Sequence, residues 1–223
     1  MFLLINKQPG PTSHDIVDTL RKITGIKKIG HAGTLDPFAE GLLIIAVERN
    51  STKKIAEFVG MNKEYLATLQ LGATSDTYDR TGEIEKNENN NMPSKEEIKK
   101  VLKKFVGKQE QIPPMFSAKK VGGKKLYKLA RQGKKIERKP SQIEIYNIDL
   151  KKYNENKKQL EIKVSCSSGT YIRSLAYDIG RTLGTGAYLE KLVRTKIGKF
   201  KLEDTVKISE LKSDNWQEFG WEK

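Results

Sequence analysis

The feature that most constrains this chain is a glycine-rich loop that leads directly into an apolar run. Residues 30–43 read GHAGTLDPFAEGLL and contain three glycines, one proline, one histidine and two carboxylates. Residues 42–47 are continuously apolar, which is typical of a buried strand. A loop mounted on such a strand is held rigidly, and functional side chains often lie on loops of this kind.

Asp36 is the carboxylate of this loop whose backbone is most restricted. Pro37 follows it and disfavours the helical region, so Asp36 is expected to lie in extended backbone. Asp before Pro between glycines is also common in turns. By themselves, the residues are compatible with a structural turn and with a functional carboxylate.

The charge of the chain points to a polyanionic partner. Lys and Arg total 42 against 28 Asp and Glu, which gives a net charge of +14. A surplus of this size favours nucleic acid as the partner, although a lysine-rich composition could produce it without any such function. The 223 residues are enough for one large domain, or for one domain plus a small appendage, and a hydrophobic share of 36% suits a sizeable core.

Cysteine and histidine are scarce. Cys166 is the only cysteine, so an intrachain disulfide is excluded and a reducing, cytoplasmic compartment is predicted. With His14 and His31 it gives too few ligands for a structural zinc site, so we predict no metal site. The apolar N-terminus is too short for a signal peptide and is predicted to be a strand, and no run is long enough for a membrane span.

Local patterns predict most of the helices and strands. Residues 2–6 should form the first strand, followed by a helix capped by Thr12 or Ser13 and ended by Gly25. Residues 63–72 and 159–166 alternate like strands, whereas residues 94–105 carry a capping box and a helical stripe. Thr170 is a candidate cap for a further helix, and residues 203–223 should contain one short helix at most.

Several segments together resemble the TruB family of pseudouridine synthases. Residues 30–43 match its signature loop, residues 63–72 (KEYLATLQLG) its second motif, and residues 167–180 (SSGTYIRSLAYDIG) its third. Residues 73–82 and 187–200 also match the family pattern, so the resemblance covers about residues 2–200. It implies an α+β fold, namely a mixed, mainly antiparallel sheet with helices packed on its faces.

The resemblance also implies roles for individual residues. Asp36 would be the catalytic residue, Tyr65 would stack on the target base, and Arg173 would pair with the catalytic carboxylate. Substrate contacts would come from residues near the uracil and its neighbours: His31, Tyr171, Leu192 and Lys7. Lys7 matches the lysine of a Lys-Pro pair in the family, but here Gln8 separates it from Pro9.

Several of these residues also have a structural interpretation. His31 could be a hydrogen-bonded histidine beside a turn, and Tyr65 and Leu192 could be ordinary core residues. Arg173 lies near a helix N-terminus, where a cation opposes the helix dipole and needs a carboxylate partner, which could also be a surface acid. The acids of residues 73–82 could contact arginines or substrate, or could only form turns.

A basic segment is predicted to hold the RNA. Residues 111–133 contain paired prolines, paired glycines and six cations, with a short helix ended by Gly133. This segment resembles the bacterial insertion of the family, about residues 111–140, that closes over the T-arm of tRNA. A solvated loop is the alternative, because basic tracts alone are weak evidence.

The resemblance predicts a tRNA pseudouridine-55 synthase. No obligate protein partner is indicated, so we expect a monomer, and the predicted isomerisation requires no organic cofactor. A catalytic domain would occupy residues 1–202, and residues 203–223 would be a tail too short for the C-terminal RNA-binding PUA domain of larger bacterial relatives. Two other functions fit the sequence less well. One is guide-directed modification of rRNA, and the other is RNA binding without catalysis, against which Asp36, Tyr65 and Arg173 together argue.

Overall fold

The computed structural model describes residues 1–87, 91–117, 119–130, 132–133 and 136–222. Its helices are α1 (Ser13–Thr24), α2 (Glu48–Thr52), α3 (Ile55–Val59), α4 (Lys95–Lys104), α5 (Leu126–Ala130) and α6 (Ile172–Leu183). Its strands are β1 (Phe2–Lys7), β2 (Ile29–His31), β3 (Glu40–Val47), β4 (Lys63–Leu71), β5 (Ala73–Ser75), β6 (Ile84–Lys86), β7 (Gly107–Gln111), β8 (Lys120–Val121), β9 (Lys124–Lys125), β10 (Ser141–Asn154), β11 (Gln159–Cys166), β12 (Ala187–Ile197), β13 (Phe200–Lys201), β14 (Val206–Lys207) and β15 (Gly220–Trp221). The chain divides into a first unit, residues 1–66 and 191–223, and a second unit, residues 67–190.

The first unit is built around β1 and β3, which pair antiparallel along their length from Phe2 opposite Ala46 to Lys7 opposite Gly41. On the β1 side, β14 adds in parallel and β15 antiparallel. On the β3 side, β2 pairs antiparallel and β12 pairs in parallel. Strand β3 therefore has neighbouring strands on both sides and is buried on both faces. This burial explains why its apolar run is continuous.

Helix α1 supplies the apolar layer on one face of these strands. Thr12 caps it in a capping box with Asp15, and Gly25 ends it in the left-handed conformation with φ of 71°. The predicted start and end of this helix are therefore confirmed. Its buried side chains join a core cluster with residues of β1 and β3, including Leu3 and Leu43.

The second unit contains further strand pairs, of which β10 with β11 and β10 with β7 are antiparallel. Strand β11 lies between β4 and β10, and β10 also pairs with β7. Strand β4 alternates between buried and half-buried residues as predicted, and Cys166 at the end of β11 is a buried packing residue. Helix α4 begins with the predicted capping box of Ser94 and Glu97 and packs on β10 and α6. These pairings are mixed, mainly antiparallel and covered by helices, which confirms the predicted fold class.

Two local predictions were wrong. Thr170 does not cap α6, because its hydroxyl donates to the carbonyl of Ser167 and Tyr171 occupies the N-cap without a side-chain bond. The segment after residue 202 is more than one short helix, because it contributes β14 and β15 as partners of β1. Trp221 of β15 stacks on Phe2 with ring centroids 4.9 Å apart. The boundary near residue 202 stays a prediction.

No helix in the described part of the chain is long and apolar enough to cross a membrane.

Candidate active site

The loop that carries Asp36 is a turn fixed from both sides. The Ala39 amide donates to the Asp36 carbonyl at 3.1 Å, so residues 36–39 form a turn with Pro37 at its second position. The buried Ser13 hydroxyl donates to the carbonyl and accepts from the amide of Leu35. Asp36 itself is half-buried, between the buried Leu35 and the exposed Pro37. Its backbone neighbours are therefore held, which favours a carboxylate kept in one position.

Lys7 is a fully buried ammonium beneath this loop. Its Nζ donates to the carbonyls of Gln8 and Pro11 at 2.9 Å each and of Pro37 at 3.2 Å. These three bonds use all three of its donors. Burial lowers the pKa of Lys7 to about 8, with the positive charge of Arg194 also lowering it and the carboxylate of Asp36 opposing the change. Lys7 thus contacts the backbone of the Asp36 loop, and substrate contact by Lys7 stays a prediction.

Lys7 should make stability depend on pH in alkaline solution. The pKa of Lys7 is about 8 in the folded protein and near 10.5 in the unfolded chain. Between pH 8 and pH 10.5 the unfolded chain therefore binds more protons at Lys7 than the folded protein does. The free energy of unfolding of the wild type, relative to Lys7→Met, is therefore expected to rise by roughly 1–3 kcal/mol from pH 8 to pH 10.5. Urea unfolding at several pH values measures it, with the exposed Lys22→Met as control. A difference that stays constant across this range would contradict the assignment.

His31 ends β2 and lies opposite Ile45 of β3. Its pKa is lowered first by burial and then by the positive charge of Arg194, so the neutral imidazole is favoured. Its Nδ1 is buried and has no hydrogen-bond partner within the described residues. This arrangement argues against the alternative of a histidine fixed through that nitrogen, and it leaves a neutral ring suited to stacking.

Tyr65 and Leu192 both belong to the first unit and are nearly buried. Tyr65 is 8% exposed on β4, and Leu192 is 6% exposed on β12. Both lie on the inward positions of alternating strands. Their burial fits a core role as well as a role in lining a small pocket, so their contacts with a base stay predictions.

Arg173 belongs to the second unit, where it forms a buried ion pair with Asp79. Its Nη1 lies 3.4 Å from Asp79 Oδ2, and the two side chains are 5% and 4% exposed. Nη1 also donates to the Thr77 carbonyl at 3.2 Å, and Nη2 to the Phe116 carbonyl at 2.8 Å. Arg173 therefore has a buried carboxylate partner, as the helix-dipole argument requires. Its predicted pairing with the catalytic carboxylate stays a prediction.

The loop that supplies Asp79 is held by several hydrogen bonds and is locally strained. Asp79 Oδ1 accepts from the Thr77 hydroxyl and from the Thr81 amide, both at 2.9 Å. Tyr78 has φ of 63°, which is unfavourable for an aromatic residue, and its ring stacks on Tyr177 of α6 at 4.3 Å. Its carbonyl accepts from the Leu189 amide. Such strain persists only where surrounding contacts impose it, which is common near functional sites.

Tyr171 is fixed by a residue far away in sequence. The buried Gln111 side chain accepts from the Tyr171 amide at 2.8 Å and donates to its carbonyl at 3.0 Å. This pair of bonds takes the place of a side-chain cap at the start of α6. It also ties the beginning of the predicted insertion to the helix that carries Arg173.

The predicted RNA-gripping insertion is described only in part. It contains the short pair β8 and β9 and helix α5, and the Ser174 hydroxyl binds its Ile112 carbonyl at 2.8 Å. Some of its cations lie outside the described residues: Arg131, Lys134 and Lys135 entirely, and the side chains of Lys120, Lys124, Lys125 and Lys128. Its role in RNA binding stays a prediction.

The sequence analysis did not identify two buried residues of these sites. Asp79 pairs with Arg173, and Arg194 binds backbone carbonyls on both sides of the Asp36 loop. Residues 73–82 contain two acids, Asp76 and Asp79, and no local pattern distinguishes them. Arg194 shares the inward face of β12 with Leu192, and that alternation was the signal that could have identified it. Within the described residues, no cluster of three or more His, Cys, Asp or Glu side chains could hold a metal ion.

Two solved structures define the class of the fold. A chain of an H/ACA RNP bound to a substrate RNA containing 2'-deoxyuridine aligns over 100% of this chain with a TM-score of 0.71 and 28% identity. A chain of a Cbf5-Nop10-Gar1 complex aligns over 99% with a TM-score of 0.75 and 30% identity. This protein spans 56% of each of those chains. The fold is that of the pseudouridine synthases.

Sequence comparison gives the family. The family model described as "TruB family pseudouridylate synthase (N terminal domain)" matches residues 21–172, and the "tRNA pseudouridylate synthase B C-terminal domain" matches residues 173–223. The relatives include proteins named tRNA pseudouridine synthase B from Protochlamydia amoebophila, 50% identical over 94% of this chain and 79% of the relative, and from Aquifex aeolicus, 43% identical over 97% and 75%. The chain belongs to the TruB family of pseudouridylate synthases.

Proposed function

We propose that this protein isomerises the T-loop uridine at position 55 of tRNA to pseudouridine, with Asp36 as the nucleophile. The observation that carries the proposal is the Asp36 loop, in which a half-buried carboxylate sits between backbone groups bound by the buried Ser13 and Lys7. Relatives named tRNA pseudouridine synthase B, 43–50% identical, support tRNA as the substrate.

The reaction requires a nucleophile and a proton acceptor. The N1–C1′ bond of the uridine breaks, the uracil turns, and a C5–C1′ bond forms while the proton on C5 is lost and N1 is protonated. Product and substrate are isomers, so no oxidant or reductant is consumed. The Asp36 carboxylate can act by covalent catalysis, either at C6 of the base or at C1′ of the sugar. The phenol of Tyr65 is our candidate for proton transfer.

The uridine must leave the folded T-loop before this chemistry can occur. Extruding a base costs a few kcal/mol, which base stacking and phosphate contacts can offset. We assign the stacking surface to Tyr65 and contacts with neighbouring nucleotides to His31, whose neutral ring suits stacking. Leu192 would line the apolar side of the uracil pocket. Tyr171 is assigned to substrate binding.

Binding of the T-arm is assigned to the basic surface of the chain. The net charge of +14 and the cations of residues 111–140 favour contacts with phosphates. We further propose that the protein acts in the cytoplasm, as a monomer and without a cofactor. Arg173, held by Asp79, is assigned to support the ionised state of the catalytic carboxylate.

The deciding experiment maps pseudouridine in an unmodified tRNA transcript incubated with the pure protein and no guide RNA. We expect a single pseudouridine at position 55, and none in a transcript in which that uridine is replaced by cytidine. Modification at another position would contradict the assigned target. Modification only after addition of a guide RNA and rRNA substrate would favour the guide-directed alternative.

A further inference from the structure

Arg194 is a buried cation to which the mechanism above gives no role. It lies on β12 with 1% of its surface exposed and is among the largest fully buried side chains. Its guanidinium Nε donates to the Leu42 carbonyl at 2.8 Å, and Nη2 donates to the Gly33 carbonyl at 3.0 Å. Both acceptors are backbone groups that flank the loop containing Asp36.

The backbone of Arg194 contacts the same loop at its other end. Arg194 pairs in parallel with Gly41 in the register of β12 and β3. Gly41 has φ of 111°, and a Cβ added there would collide with the backbone of Arg194. Gly33 has φ of 95°, and a Cβ there would lie 3.6 Å from Arg194 Nη1. Arg194 therefore touches both ends of residues 33–42. Its side chain binds Gly33 at one end and Leu42 at the other, where its backbone also pairs with Gly41.

The guanidinium of Arg194 binds backbone acceptors. Within the described residues its hydrogen bonds go to two carbonyls, those of Leu42 and Gly33. A buried charge is costly unless it is paired, so an apolar side chain of similar size would be the simpler way to fill this space. The cost is explained if the charge and both hydrogen bonds hold the loop that lies between Gly33 and Leu42.

We propose that Arg194 is a positioning residue for Asp36, which fixes the ends of the loop and supplies positive charge that favours the ionised carboxylate. The inference rests on the proposed function, since it takes Asp36 as the nucleophile. Other charged groups of the first unit act in the same region. Glu40 on β3 and Asp15 on α1 affect the charge of Lys7, which binds the loop, and His14 on α1 affects that of His31. A test must therefore isolate Arg194 from these groups.

The kinetic test compares Arg194→Met and Arg194→Lys with the exposed Arg49→Met as the matched control. Loss of both loop bonds in Arg194→Met should lower kcat about 100-fold and leave KM for tRNA within about threefold, because small misplacement of a reacting group has effects of this size. Arg194→Lys keeps the charge but cannot span both carbonyls, so its kcat should fall by about tenfold. Arg49→Met should match the wild type.

The pH dependence separates positioning from mere packing. In Arg194→Met the acid limb of the pH profile of kcat should move to higher pH by about half a unit or more, because a favourable charge near Asp36 is lost. In Arg194→Lys it should stay near that of the wild type. Carbon-13 NMR titration of the Asp36 carboxyl, assigned with Asp36→Asn, should give the same upward shift without relying on turnover.

The outcomes distinguish this inference from the proposed function. An inactive wild type whose Asp36 titration still responds to Arg194→Met would refute the function and retain the positioning role. An active wild type, with kcat and Asp36 titration unchanged in folded Arg194→Met, would overturn the inference alone, as would a loss confined to KM. If Arg194→Met does not fold, an unaltered kcat in Arg194→Lys overturns the proposed hold on the two carbonyls.

Discussion

Asp36→Asn is expected to lower pseudouridine formation by at least about 1,000-fold while the affinity for tRNA stays within a few-fold of the wild type. An amide has almost the shape of the carboxylate but is a far weaker nucleophile. The loop should persist, because the bonds from Ser13 and Lys7 go to the backbone of Leu35 and Pro37 and not to the Asp36 side chain. Activity and folding should therefore separate in this variant.

Two measurements compare Asp36→Asn with the wild type. Nucleoside mass spectrometry follows single-turnover formation of pseudouridine, and filter binding gives the affinity for tRNA. Asp214→Asn removes an exposed carboxylate from the same unit and is the matched control. Turnover within tenfold of the wild type would exclude Asp36 as the nucleophile. A loss of affinity equal to the loss of turnover would instead assign Asp36 to substrate binding.

Asp79→Asn is expected to lower the free energy of unfolding by about 3–5 kcal/mol, which is typical when one member of a buried ion pair is removed. Asp79 and Arg173 are both nearly inaccessible to solvent, and Asp79 also accepts bonds from Thr77 and Thr81. An asparagine can retain an acceptor oxygen, but it places no negative charge beside the guanidinium. The strained Tyr78, held between these residues, should lose part of its support.

Urea unfolding of Asp79→Asn beside Asp76→Asn measures this effect. Asp76 lies in the same loop, is exposed, and accepts one bond from the Glu83 amide that an asparagine can also accept. We expect its substitution to change the free energy of unfolding by less than about 1 kcal/mol. Similar values for the two variants would indicate that the ion pair adds little to stability.

Elements with local signals were predictable because the interactions that set them lie within a few residues. The cap of α1 by Thr12 and its end at Gly25, and the capping box of Ser94 and Glu97, each satisfy backbone groups of their own helix. The alternation in β4 likewise reflects one buried face, which recurs every second residue. The motifs that carry the family resemblance were also readable, because they are continuous in sequence.

Elements that depend on distant partners were not predictable. The start of α6 is held by Gln111, which lies 60 residues before Tyr171. The local pattern therefore indicates Thr170 as the cap, although its hydroxyl binds the Ser167 carbonyl instead. The C-terminal strands exist because β1 offers them backbone groups about 200 residues away in sequence. No local pattern records such a pairing.

The sequence by itself determined the family, the α+β class and the loop on which Asp36 lies, because each depends on contiguous residues or on local hydrophobic pattern. Only the tertiary structure decided that Lys7 and Arg194 are buried beneath that loop, and that Asp79 is the carboxylate paired with Arg173 in the second unit. Charged side chains are normally exposed, so composition predicts solvated cations. The cations are buried here because carbonyls brought close by folding, those of Pro37, Gly33 and Leu42, take the place of water.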